Sequence, residues 1–122
     1  MTTADVLRGA AEIVHLGWCQ GAQARTKRGR GVRGDDPAMA RCCAAIAICR
    51  AAGPPYTAEG SGPARLAWDA LIEYLDLPVL RYQHCQPAAY YTIADWNDDP
   101  ARRKAQVVKA LLGAAAATEE AP

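Results

Sequence analysis

The feature that most limits the fold of this 122-residue chain is an apolar run between Asp36 and Gly53. Asp36-Pro37 suits the first turn of a helix, because Asp can cap free amides and Pro needs no N–H there. Gly53-Pro54-Pro55 then ends it. Met, Ala, Cys and Ile residues would cover nearly every side of such a helix. The sequence therefore predicts a buried central helix from Pro37 to Ala52.

Three further main helices are predicted from apolar residues at helical spacing. The first runs from about Ala4 to Leu16, with Thr3 as its N-cap and Leu16 in its stripe. The third begins at Pro63 or Ala64 and ends before Pro78, and the last starts at Asp99-Pro100. The third stripe is Leu66, Ala67, Ala70, Leu71, Tyr74 and Leu75, with Trp68 at its edge, and the last is Val108, Leu111, Leu112 and Ala115.

A short helix from about Pro87 to Ile93 is also expected between the third and last main helices. About four main helices with short connections predict an all-α, compact bundle, in which each helix buries one stripe. We expect one helical domain over residues 1–115, followed by a frayed C-terminal tail over residues 116–122.

A basic Gly/Arg loop separates the first two predicted helices. Residues 21–34 have no apolar face and too much glycine for a helix, so an exposed loop or hairpin tip is expected. The net charge is only +1, which hides this local excess. The basic side chains of the loop are Arg25, Lys27, Arg28, Arg30 and Arg33.

Two interpretations of this loop are possible. It could stay solvated and pair partly with the acidic side of the third helix, at Asp69, Glu73 and Asp76. Alternatively, it could bind the phosphates of a nucleic acid. A pI of about 7.6 and the absence of an aromatic residue within the loop favour the first interpretation.

Cysteine and histidine are the residues to consider for metal binding or nucleophilic catalysis. The chain has five cysteines, and none forms the Cys-x-x-Cys pair typical of structural zinc sites. Reduced, buried thiols are expected instead, with no metal site and no cofactor. Cys85 beside His84 is the more reactive candidate, yet sequence neighbours seldom meet in catalytic geometry. No catalytic set is evident, so an enzyme is the less favoured class.

Two tryptophan-bearing turns could together form a polar-rimmed pocket. Asp98 and Asp99 have a structural explanation, because both lie at the predicted start of the last helix. The remaining polar and aromatic residues define a candidate pocket for a small ligand or an enzyme site: Trp18, Gln20, Asp95, Trp96 and Asn97.

The location of the protein is predicted from what the chain lacks. Charged residues interrupt the first 14 positions, which excludes the apolar core of a signal peptide. No run approaches the roughly 18 apolar residues of a membrane span. We therefore expect a cytoplasmic protein with no membrane partner.

Three motifs occur in a recognisable order: Gly17-Trp18-Cys19-Gln20-Gly21, Asp36-Pro37-Ala38 leading to Arg41-Cys42, and Trp96-Asn97-Asp98 followed by Pro100 and Arg102. In this order they resemble the DUF6197 family. The resemblance implies a compact intracellular domain from actinobacteria or their phages, and it supplies no reaction, cofactor or partner. The leading hypothesis is therefore a small accessory protein that binds a macromolecule, most plainly another protein.

Overall fold

The structure is a computed structural model that describes residues 1–78 and 88–120. Its elements are α1 (Thr3–Leu16), β1 (Ala24–Arg25), β2 (Gly31–Val32), β3 (Arg41–Cys42), α2 (Ala44–Ala52), α3 (Gly62–Leu75), α4 (Ala88–Asn97) and α5 (Lys104–Glu120). The protein is mainly helical, as predicted. The strands form a small antiparallel sheet in the order β2-β1-β3, so the pure all-α prediction was wrong in this respect.

The first helix begins with a capping box. Thr2, rather than the predicted Thr3, is the N-cap: its hydroxyl accepts a hydrogen bond from the Asp5 amide, and the Asp5 carboxylate accepts one from the Thr2 amide. These reciprocal bonds satisfy two free donors of the helix start. The helix ends before Gly17, where an added Cβ would lie only 2.5 Å from the Ala40 carbonyl oxygen. Glycine thus lets the end of α1 approach the strand that leads into α2.

The predicted basic loop contains a β-hairpin. Ala24 pairs with Val32 and Arg25 with Gly31 across β1 and β2, while β3 pairs with the other edge of β1. The Thr26 amide donates to the Arg30 carbonyl, which closes the turn. The exposed hairpin tip that the sequence predicts is therefore present, on a sheet that the sequence did not predict.

Asp36-Pro37 does not begin a helix. The Asp36 carboxylate accepts from the Ala38 amide at 2.8 Å, and its carbonyl accepts from the Met39 amide at 3.1 Å. Residues 36–39 thus make a turn, after which the Ala40 amide donates to the Arg25 carbonyl and joins the chain to the sheet. The predicted start at Pro37 was wrong because sheet pairing competes with helix extension; α2 begins at Ala44.

Asp99-Pro100 makes the same kind of turn, so the second predicted helix start was also wrong. The Asp99 carboxylate accepts from the Ala101 amide, and its carbonyl accepts from the Arg102 amide. The last helix begins at Lys104, where the Gln106 side chain accepts from the Arg103 amide. In both places Asp bonds two residues ahead, as an Asx-turn does, rather than capping a helix.

The centre of the molecule is α2, which confirms the predicted buried helix over its shorter length. Its residues from Ala44 to Cys49 are all buried, and it contacts α1, α3 and α4. Trp68 of α3 is also fully buried, and its indole donates to the Ala45 carbonyl at 3.1 Å. The prediction that Trp68 lies at the edge of the α3 stripe was therefore wrong.

The last two helices, α4 and α5, both end later in the sequence than predicted. The short helix predicted to end near Ile93 continues to Asn97, so Trp96 and Asn97 belong to α4 rather than to a turn. The last helix continues to Glu120, beyond the predicted start of the tail at residue 116. There Arg8 of α1 makes an ion pair with Glu119. Residues 79–87, including His84 and Cys85, and residues 121–122 lie outside the described residues.

The last helix completes the packing. It lies mainly against α1 and also against α3, with Val107, Ala110, Leu111, Ala114 and Ala115 buried. In the described parts of the chain, no helix combines the length and apolar character needed to cross a bilayer.

Candidate functional site

The two tryptophan-bearing segments meet, as the candidate-pocket hypothesis requires. Trp18 donates its indole N–H to Asn97 Oδ1 at 2.7 Å, and the Ala44 amide donates to the same oxygen at 3.0 Å. Asn97 Nδ2 donates to the Cys19 carbonyl at 3.1 Å and to the Asp98 carboxylate at 3.0 Å. We call this set the Asn97 junction: it joins the ends of α1 and α4 to the start of α2.

Two further contacts extend the Asn97 junction to the surface. Gln20 Nε2 donates to the Asn97 carbonyl at 2.9 Å and to the Asp99 carbonyl at 2.8 Å. The Gly21 amide donates to the Asp98 carboxylate at 3.0 Å. The Gln20 bonds satisfy carbonyls at and just beyond the end of α4, which lack partners within the helix, and the Gly21 bond holds the Asp98 side chain.

The chemistry of the Asn97 junction is directed inward. Asn97 is fully buried, and its amide oxygen and nitrogen each make two hydrogen bonds within the protein. Both amide hydrogens of Gln20 are likewise bonded to carbonyls. Because these polar groups are already paired, a ligand would have to break existing bonds to use them. The arrangement is therefore one that stabilises the fold.

The other two candidate-pocket residues line a different cavity. Asp95 and Trp96 border a small hollow of about 220 Å³ with Leu77, Pro78, Thr92, Asp99 and Arg102. The Arg102 guanidinium lies over the Trp96 ring, 4.3 Å from its centre, and donates to the Trp96 carbonyl. The structure therefore brings three of the five predicted residues together and places Asp95 and Trp96 beside Arg102.

The described cysteines are free and buried: Cys19, Cys42, Cys43 and Cys49. Burial raises the pKa of Cys43 and of Cys49 to about 12, and it raises the pKa of Cys19 and Cys42 as well. Thiols with such pKa values stay protonated at neutral pH and make poor nucleophiles. Across residues 1–78 and 88–120, no group of three or more His, Cys, Asp or Glu side chains could hold a metal ion.

The basic residues of the hairpin differ in their contacts. The Arg25 guanidinium donates to the carbonyls of Gln20 and Gly29. Arg33 pairs with Asp35 at 3.1 Å, rather than with the acidic residues of α3. Lys27, Arg28 and Arg30 are exposed.

Sequence reasoning missed an apolar surface. Leu16, Tyr74 and Leu112 were assigned to buried stripes, yet they are 86%, 46% and 47% exposed. Leu112 and Val108 of α5 line two adjoining hollows, of about 660 and 530 Å³, together with His15 of α1. We call this surface the α1–α5 hollow; its other lining residues are Arg8, Ala11, Glu12, Leu16, Tyr74, Lys104, Ala105, Lys109 and Gly113. In the sequence, the one sign of this surface is that the predicted apolar stripes of α1, α3 and α5 extend to residues that these helices do not bury.

Comparison with known proteins adds a family and nothing more specific. No curated protein and no solved structure matches the chain. The model of one family matches residues 1–117, which is nearly the whole sequence. The chain therefore belongs to DUF6197, a family of unknown function.

Proposed function

We propose that this protein is a cytoplasmic accessory protein that binds an amphipathic helix of a partner protein in the α1–α5 hollow. The observation that carries the proposal is the exposure of large aliphatic side chains at one place, above all Leu16 and Leu112. Single exposed apolar residues are common on proteins, whereas a contiguous group around a depression is typical of an interaction site. We extend the proposal to an actinobacterial or phage setting, which the family resemblance implies.

The shape of the hollow suits a helix. Val108 and Leu112 contribute to both of its parts, so the two depressions are continuous along α5. From Lys104 to Leu112 the helix rises about 12 Å, which is two turns. A partner helix could place apolar residues at i, i+4 and i+7 along this length.

The charges at the rim indicate the chemistry of that partner. Lys104 and Lys109 line one part of the hollow. Arg8 and Glu12, which carry opposite charges, line the other part. Arg8 already pairs with Asp5 and Glu119, whereas no carboxylate pairs with Lys109 among the described residues. The rim next to α5 is therefore basic. We expect the bound helix to carry Asp or Glu beside its apolar stripe.

The proposal can be tested with a phage-displayed library of amphipathic 20-residue peptides. Selection on the wild-type protein should enrich helices with apolar i, i+4 and i+7 positions and acidic flanks. Their dissociation constants should rise at least tenfold for a Leu16→Ser/Leu112→Ser variant, because both substitutions remove apolar contact area. Fluorescence polarisation with labelled peptides measures the change.

A matched control is available on α3. Leu66 is 61% exposed and does not line the α1–α5 hollow, so Leu66→Ser should leave peptide affinity unchanged. Enriched peptides that bind all variants equally would contradict the proposal. So would a wild-type protein that sedimentation shows to be a dimer, if Leu112→Ser makes it a monomer, because the hollow would then be occupied by a second copy.

A further inference from the structure

The outer face of the three-stranded sheet carries two arginines side by side. In the register of the strands, Arg25 on β1 lies opposite Arg41 on β3 and opposite Gly31 on β2. Directly opposed residues project to the same side of a sheet. Ala24 and Cys42, on the other side, are fully buried. The sheet therefore has an apolar inner face and a cationic outer face.

The tip of the hairpin extends this cationic face. The turn is ordered by Thr26, whose carbonyl accepts from the Gly29 amide and whose hydroxyl accepts from the Arg30 amide. Arg41 reaches toward the tip: one of its guanidinium nitrogens lies 3.7 Å from where a Cβ on Gly29 would be. We call the combined surface the basic sheet face; it comprises Arg25, Lys27, Arg28, Arg30 and Arg41.

The positive charge of this face is not neutralised within the described residues. Among residues 1–78 and 88–120, the Arg25 guanidinium donates to backbone carbonyls alone, which orient it without cancelling its charge. In residues 1–78 and 88–120, no carboxylate forms an ion pair with Lys27, Arg28, Arg30 or Arg41. Like charges placed opposite each other across strands oppose folding. An anionic ligand would remove this repulsion.

We propose that the basic sheet face binds the phosphate backbone of double-stranded DNA without regard to sequence. This binding is separate from the helix-binding function proposed above, because it uses a different surface. No aromatic residue belongs to the face, whereas proteins that grip single strands stack bases on aromatic rings. The β1–β2 hairpin at the edge of this sheet has a basic tip, and two-stranded ribbons of this kind fit the major groove of B-DNA. The proposed face keeps four of the five residues of the predicted nucleic-acid-binding loop, omits Arg33, which pairs with Asp35, and includes Arg41 of β3.

Salt dependence provides the first measurement. The probe is a fluorescent 20-base-pair duplex, titrated with the full chain at 50–200 mM NaCl. Neutralising five phosphates should give a slope of about −4.5 in a plot of log K against log salt concentration. Failure to bind at 50 mM NaCl would overturn the proposal.

Substitution locates the binding surface. In Arg28→Ser/Arg41→Ser the slope should decrease by about 2, and the dissociation constant at 50 mM NaCl should rise at least tenfold. The control Arg65→Ser/Arg103→Ser removes the same charge from exposed positions on α3 and just before α5, and should change affinity less than threefold. Equal losses in the two variants would show a general charge effect and overturn the assignment. Arg28→Ser/Arg30→Ser, confined to the hairpin tip, repeats the test without altering β3.

Competition distinguishes the ligand. Unlabelled duplex should displace the probe at lower concentrations than a single strand of the same sequence or polyglutamate of equal charge. A single strand that competes better would overturn the choice of duplex. Polyglutamate that competes equally well would overturn the choice of DNA.

Discussion

The Asn97 junction and the basic sheet face both contain residues that looked functional in the sequence, and they use their polar groups in opposite ways. At the junction, one buried amide makes four hydrogen bonds, two of which reach residues 78 and 79 positions away in the sequence. On the sheet face, Lys27, Arg28 and Arg30 extend into solvent. The first region therefore stabilises the fold, and in the second these three charges have no ion-pair partner within the described residues.

The contrast shows that polar residues must be judged by their partners. A buried group that loses its partner keeps the full cost of its desolvation, whereas an exposed charge can bond to water. Substitutions at the junction should thus lower the free energy of unfolding, and those on the sheet face should change it little while weakening binding. The following predictions test that division, from the largest expected effect on stability to the smallest.

Removing the amide of Asn97 should have the largest effect. Asn97→Ala leaves the Trp18 indole N–H, the Ala44 amide and the Cys19 carbonyl without this partner. We expect a loss of roughly 3–5 kcal/mol, since each buried group left unpaired costs about 1–3 kcal/mol. Urea unfolding measures it. Asp98→Asn, which retains an acceptor for the Gly21 amide, should cost under about 1 kcal/mol. A similarly small loss of stability for Asn97→Ala would contradict the conclusion that the Asn97 junction stabilises the fold.

Alkaline pH should destabilise the protein through its buried thiols. Burial raises the pKa of Cys43 and Cys49 from 9.0 to about 12, so between about pH 9 and 12 only the unfolded chain loses these protons. Stability is therefore fully present below pH 9 and falls as the pH rises. At about 1.4 kcal/mol per pH unit for each thiol, these two should cost roughly 3 kcal/mol at pH 10.

Urea midpoints at pH 7.5 and pH 10 check this dependence on pH. Cys49→Ala should reduce the difference between the two pH values by roughly 1.4 kcal/mol, because one titrating thiol is gone. Thiol reagents should react slowly with the folded protein at Cys43, which is buried. Equal stability at the two pH values would show that the thiolates are tolerated inside, contrary to the prediction.

Weakening the junction by one bond should have an intermediate effect. Trp18→Phe removes the indole donor but leaves the Ala44 amide on Asn97 Oδ1. We expect a loss of about 1–2 kcal/mol by urea unfolding. The double variant Trp18→Phe/Asn97→Ala should lose less stability than the two single variants lose in total, because both substitutions remove the same hydrogen bond. Strict additivity would mean that this bond does not couple the two segments.

The smallest change is expected on the basic sheet face. Arg41→Ser should change the free energy of unfolding by no more than about 0.5 kcal/mol, and in the stabilising direction, because it relieves repulsion from Arg25. The gain should vanish in 0.5 M salt, which screens exposed charges. A marked loss of stability would show that Arg41 supports the sheet and would blur the division between the two regions.

Much of the fold could be predicted from local pattern. The apolar run around Ile46 predicted the buried helix, and stripes in the flanking segments predicted three more. Helix starts at the two Asp-Pro pairs were wrong, since an Asp side chain can cap a helix or close an Asx-turn. The tripeptide Asp-Pro-Ala is compatible with both structures, and the residues that follow it determine which one forms.

The candidate site was only partly predictable. Trp18, Gln20 and Asn97 were singled out from residue type, and they do meet, but their mutual bonds leave little for a ligand. The exposure of Leu16 and Leu112 was not predicted, because periodicity shows that a stripe exists and does not show how wide a face its neighbours cover. Arg41 was missed because its strand was assigned to a helix.

By itself, the sequence determined the existence and approximate position of the helices, the buried central segment and the basic hairpin tip. Those properties depend on residues within a few positions of each other, through i to i+4 hydrogen bonds and side-chain period. Tertiary structure alone decided that Asn97 joins three segments, that Arg41 stands beside Arg25, and that Leu112 remains exposed. Each of these depends on contacts between distant parts of the chain, which form only when the helices and the sheet pack together.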